Sequence, residues 1–168
     1  LVSSSAASDV YKRQVKNEQG TPIGNLGDGE AVWHADMTYL ELPPKAGILY
    51  ALEVPENQGN THFANMTLAY SDLSDDIKKK IDGKILIHDS AHNSAGMLRK
   101  GYSEVDNPTE TPGARHPMVI TDQCTNKKLL FLGRRPYAYI VGLEIEESEN
   151  LLDEIWKHAT QEKYTWTQ

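Results

Sequence analysis

The sequence predicts an α+β domain, mainly β, built on an antiparallel sheet of jelly-roll type. Three observations point there. Short β-compatible runs recur along the chain, bounded by proline and glycine turns. One long amphipathic helix pattern lies late, at 144–160. Two short helical stretches sit midway, at about 68–73 and 74–82. No internal repeat and no second domain is visible.

Residues 1–14 (LVSSSAASDVYKRQ) are rich in Ser and Ala and show no apolar periodicity. They resemble translated adapter sequence and are expected to be a non-native or disordered tail, so the domain is read over 15–168. The chain begins at Leu1 and stops at Trp166-Thr167-Gln168, and it is expected to be an internal fragment.

Residues 15–30 hold Gly20, Pro22, Gly24, Gly27 and Gly29, which is loop chemistry. A phosphate-cradling loop is rejected because no Gly-Lys-Ser/Thr follows. Trp33 to Tyr39 reads as a strand, ended by Leu42-Pro43-Pro44. Ala46 to Val54 (AGILYALEV), between Pro44 and Pro55, reads as a buried strand. Thr61 follows the turn Gly59-Asn60 and suits either a strand start or a turn cap.

Asn65 or Thr67 can cap the first short helix. Ser74-Asp75-Asp76 opens the second, with Lys78 to Lys80 at its end and Gly83 as its stop. Lys84 to His88 (KILIH) alternates as a strand does. The polar stretch 89–113 is long enough to suggest a functional lid or a disordered segment. His88 and His92 straddle a strand end rather than sharing a helix face, so they are not read as metal ligands. HPMVIT and KKLLFL, joined by a turn at 122–126, predict a hairpin. Arg134-Arg135 follow it, either as a surface pair or facing an anionic ligand. Tyr137 to Val141 is a further short strand. In the late helix, Leu151, Leu152, Ile155, Trp156 and Ala159 share one face, which makes the Trp core packing.

Composition narrows the function. Hydrophobic content is 39%, charged content 24% and net charge −7, ordinary for a globular protein without a basic nucleic-acid footprint. The longest apolar run, about 47–52, is far too short to span a bilayer. Cys124 is alone and sits in a polar turn, which argues against disulfides and thiolate clusters. No signal peptide is visible, so the cytoplasm is the default location.

The chemistry centres on Trp33-His34-Ala35-Asp36. On an extended strand, positions i and i+2 share a face, so His34 and Asp36 would project together. One imidazole nitrogen and one carboxylate oxygen form two thirds of the 2-His-1-carboxylate triad of non-haem Fe(II) oxygenases. With 6 His and 24 Asp/Glu in the chain, about one His-x-acid match arises by chance, so the pair needs its context.

That context resembles the taurine dioxygenase (TauD/TfdA) family of Fe(II)/2-oxoglutarate-dependent dioxygenases. The likeness runs from about Val15 to Gln168. It rests on Trp33-His34-Ala35-Asp36 with Tyr39 and Leu42-Pro43-Pro44, on Gln58-Gly59-Asn60-Thr61, on His116-Pro117-Met118-Val119 with Leu130-Phe131-Leu132, and on the helix and tail from Asp153 to Trp166. The resemblance implies a double-stranded β-helix (jelly roll) with flanking helices, incomplete at its C-terminal end. It implies His34 and Asp36 as catalytic iron ligands and Thr61 as the hydroxyl that binds the 2-oxoglutarate carboxylate.

The family's second His ligand and the Arg that pairs with the distal carboxylate of 2-oxoglutarate have no counterpart in this chain. His158 matches a non-ligand position. The 168 residues are therefore expected to be inactive alone. The whole enzyme would hydroxylate a small organic substrate, anionic in many relatives and including sulfonates such as taurine. It would use dioxygen and release succinate and CO2. Arg134 or Arg135 would meet the substrate anion. Homo-oligomerisation is left open, and no nucleic-acid or membrane partner is expected. Two rival readings stand beside this one: a zinc-dependent hydrolase using the same pair, and a catalytically dead jelly-roll binding module.

Overall fold

The computed structural model describes residues 2–4, 18–19, 32–48, 50, 56 and 60–168. Strands and helices are mixed, and among the described residues the strand pairings are antiparallel. Strand β1 (Val2–Ser4), inside the segment set aside above, pairs with β2 (His62–Ala64), which pairs in turn with β8 (Thr165–Thr167). The glycine-rich stretch 15–30 lies almost wholly outside the described residues.

A second sheet places β3 (Ile85–Asp89) between β4 (Gly113–Pro117) and β7 (Tyr139–Ile140). A separate hairpin joins β5 (Val119–Asp122) to β6 (Lys127–Leu130), with Val119 opposite Leu130. The expected strand 116–121 is therefore two strands, because His116 pairs back to Leu86 while Val119 turns to the hairpin.

The helices follow their capping chemistry. In α1 (Met66–Ser71), the Asn65 side chain accepts from Leu68 N at 3.0 Å. In α2 (Asp75–Ile81), Ser74 plays the same part for Ile77 N, with acids first and lysines last. Helix α3 (Ile145–Ala159) buries Leu151, Leu152, Ile155, Trp156 and Ala159, the predicted face. This face packs with Ile77, Ile81, Leu86, Leu130 and Ile140 into one core. Each fully buried large side chain contributes roughly 1.5–3 kcal/mol. Among the described residues no helix is long and apolar enough to cross a membrane.

Two strand expectations fail. His34 makes only an isolated bridge to Arg134, and residues 36–39 form a turn with Met37 at φ 56°. In the expected buried strand 46–54, residues 46–48 and 50 lie in no strand. Ile48 and Tyr50 are 97% and 83% exposed there, and the rest of that run is outside the described residues. Residues 46–48 and 50 pair with no described strand.

Candidate active site

A cavity of about 190 Å³ opens where the His34 segment meets the end of β3 and the loop that follows it. Its wall includes His34, Asp36, Thr38 and Tyr39 on one side, and His88, Asp89, His92, Ser94, Arg99 and Arg134 on the other.

The His34 segment is pinned from behind. Ala35 N donates to Gly133 O at 2.7 Å, and Val32 N donates to Ser94 O at 3.2 Å. Gly133 has φ +64°, and a Cβ there would lie 2.3 Å from His88 Nδ1 and 2.9 Å from Thr38 Oγ1. A side chain at this junction would sit at a strained backbone angle and clash with His88 and Thr38, so the position favours glycine.

His34 Nδ1 lies 2.7 Å from Val32 O. A carbonyl only accepts, so Nδ1 carries the proton donated to it. In the neutral ring Nε2 is then a bare lone pair, and it sits 3.1 Å from Asp36 Oδ1. Two acceptors at that distance require a positive charge between them, either a proton or a metal cation. An imidazole nitrogen and a carboxylate oxygen are donors suited to a divalent metal, and 3.1 Å is also the separation of an ordinary ion pair. Among the described residues no third His, Cys, Asp or Glu joins it to form a metal-sized cluster.

The opposite wall is organised by Asp89. Its buried carboxylate accepts from Ala91 N and His92 N, both at 2.9 Å, and from Arg134 Nη2 at 2.6 Å. Arg134 also donates to Asn93 O. Burial pulls the Arg134 guanidinium below its ordinary value, the Arg99 charge adds to that, and Asp89 opposes it. His92 stacks flat on Tyr137, with ring centroids 3.6 Å apart, and reaches Glu104 at 3.1 Å. His88 is 3% exposed, and neither ring nitrogen has a partner.

The sequence-derived site residues separate into two groups. His34, Asp36 and Arg134 meet at the cavity. Arg135 does not line it: its guanidinium grips Asp153 and Glu149 of α3, each at 2.5 Å. Thr61 also stands outside the wall, half-buried at the head of β2, where its backbone pairs in both directions with Gln168. It is linked to the site indirectly, since the neighbouring His62 ring contacts Trp33 edge-on at 6.4 Å. His158 is engaged elsewhere, donating to Ala69 O. Sequence reasoning missed Asp89, Ser94 and Arg99 and set His88 and His92 aside. They reach the cavity from 50 or more positions away, and no local spacing records that.

A mixed helix-and-strand chain with a His-x-Asp pair at a cavity defines a class with close counterparts. Residues 3–168 match the family described as taurine catabolism dioxygenase TauD, TfdA family, and the chain belongs to that family. It is 30% identical over 144 residues to the alpha-ketoglutarate-dependent 2,4-dichlorophenoxyacetate dioxygenase of Burkholderia sp. (strain RASC), covering 86% of this chain and 47% of that one. It is 34% identical over 148 residues to the (S)-phenoxypropionate/alpha-ketoglutarate-dioxygenase of Sphingobium herbicidovorans, covering 82% and 48%. Among solved structures it is similar to AAD-2 in complex with Mn(II) and N-oxalylglycine, with TM-score 0.63, 26% identity and coverage of 82% and 54%. A taurine dioxygenase from Burkholderia xenovorans gives TM-score 0.63, 30% identity and coverage of 81% and 44%. The chain spans about half the length of the curated relatives it matches.

Proposed function

We propose that this chain carries the first two metal ligands of an Fe(II)- and 2-oxoglutarate-dependent dioxygenase that hydroxylates a small organic anion. The observation that carries the reading is His34 Nε2 facing Asp36 Oδ1 at 3.1 Å on the cavity wall. The relatives' dependence on alpha-ketoglutarate supports it, as does the neighbour holding Mn(II) with N-oxalylglycine, an analogue of 2-oxoglutarate. Likeness to these structures also supports reading the described sheets as parts of a double-stranded β-helix.

In this proposal His34 and Asp36 hold the metal, and the Val32 carbonyl keeps the His34 lone pair aimed at it. Fe(II), when bound, supplies activation of dioxygen coupled to oxidative decarboxylation of 2-oxoglutarate to succinate and CO2. Thr61 offers its hydroxyl to a 2-oxoglutarate carboxylate. Arg134 shapes the wall through Asp89, and Arg135 anchors α3 to the segment that carries Arg134.

Titration with Mn(II), followed by loss of the free-ion paramagnetic resonance signal, tests the pair. The chain binds Mn(II), and Asp36→Ala or His34→Ala weakens binding by about tenfold or more. Unchanged affinity in both variants would remove the assignment.

A further inference from the structure

The cavity holds two guanidinium groups, and only one is neutralised. Arg134 is spent on Asp89 and Asn93 O. Arg99, half-buried on the same wall, has no carboxylate within ion-pair distance among the described residues. We propose that Arg99, seated on the Tyr39 ring, is the residue that recognises the acidic group of the substrate. This rests on the functional reading above and deepens it by naming the specificity-determining residue.

Three features make Arg99 a prepared site. Its guanidinium carbon lies 4.2 Å from the centre of the Tyr39 ring, which supports one face of the planar group and leaves its N–H edges free. Its backbone is fixed, since Arg99 N donates to Ala91 O at 2.7 Å and the adjacent Leu98 bridges to His92. The turn between is closed by Asn93, whose side chain accepts from Ala95 N and Met97 N, both at 3.0 Å. The platform is fixed as well, because Tyr39 O accepts from Ala114 N of β4. Tyr39 lies three residues after Asp36, so the anion site and the metal pair are built on one short turn.

The charges around Arg99 favour an anion. Arg134 and Asp89 neutralise each other, Asp89 is consumed by its four donors, and Asp36 is turned to His34. Glu104 is engaged with His92. A substrate carboxylate, sulfonate or sulfate group can take a two-pronged hydrogen bond from the free guanidinium edge. Its carbon skeleton then extends across the cavity towards His34 and Asp36.

The test uses the full chain and defined probes in titration calorimetry: phenoxyacetate, hexyl sulfate, taurine, the uncharged 2-phenoxyethanol, and 2-oxoglutarate. At least one of the three monoacid probes binds, and Arg99→Ala and Arg99→Gln weaken it by roughly tenfold to a hundredfold. Arg99→Lys restores part of the affinity, and Tyr39→Ala weakens the same probe while Tyr39→Phe does not. Affinities for 2-phenoxyethanol and 2-oxoglutarate stay unchanged in every Arg99 variant.

The proposal is overturned if no monoacid probe binds, if Arg99→Ala leaves its affinity within about twofold, or if Arg99→Ala weakens 2-oxoglutarate instead. Mn(II) affinity is measured on the same variants. Loss of Mn(II) binding in the unaltered chain would defeat the dioxygenase reading, whereas an Arg99 failure with Mn(II) binding intact defeats only this inference.

Discussion

His88 shows what a single buried residue imposes on this fold. Burial, reinforced by the charge of the neighbouring His116, lowers its pKa from 6.5 to about 3. Its ring packs against Phe131 and His116, and both nitrogens lack partners. Above pH 6.5 the imidazole is neutral whether the chain is folded or not, and its titration leaves stability unchanged. As pH falls below 6.5 the unfolded chain takes up a proton that the folded one refuses. Stability then drops by at most about 1.4 kcal/mol per pH unit until the pH approaches 3. His88→Leu removes that term. Urea unfolding at pH 7 and pH 5 is expected to show a loss smaller by roughly 2 kcal/mol in the variant. Equal losses in both proteins would mean that His88 is protonated in the fold. The sequence placed His88 at a strand end but carried no sign of its enclosure, which is made by Phe131, His116 and Gly133 from distant segments.

At the level of elements, periodic and capped segments were legible and the site turn was not. Helix α3 announced its buried face through the spacing of Leu151, Leu152, Ile155 and Ala159, and Asn65 and Ser74 announced two helix starts. The His34–Asp36 convergence was expected from strand alternation, yet the pair lies in no strand: His34 makes an isolated bridge to Arg134, and Asp36 opens a turn with Met37 at positive φ. Nothing local encodes that turn, because Gly133 supplies both its anchor and its space.

Ser148 breaks the apolar stripe of α3 because it bonds the strand just before the helix. It is fully buried, and its Oγ accepts from Ile140 N at 2.9 Å, fastening the helix to β7. Ser148→Ala leaves that amide unpaired in the core and is expected to cost about 1–3 kcal/mol in chemical denaturation. A change below about 0.5 kcal/mol would show that the amide finds another acceptor.

For the whole molecule, the site divides unevenly between what this chain holds and what its chemistry requires. The described residues provide the His34–Asp36 pair, a cavity wall and a guanidinium without a carboxylate partner, and no group of three or more possible metal ligands. Binding and turnover should therefore separate. Two ligands suffice to hold a divalent ion weakly, since each contributes its own bond. Turnover depends on a complete coordination set that orients the cosubstrate, and misplacement by about 1 Å can cost a hundredfold in rate. The expected outcome is that the chain binds Mn(II) in the His34- and Asp36-dependent manner described above, yet forms no succinate from 2-oxoglutarate when supplied with Fe(II) and dioxygen. Succinate formation above the rate of free Fe(II), abolished by Asp36→Ala, would overturn this. It would require the third ligand to come from residues outside the described set or from a second copy of the chain. A mixture of Asp36→Ala chains with chains altered only at that ligand would then separate the two sources, because activity recovered on mixing requires ligands shared between copies.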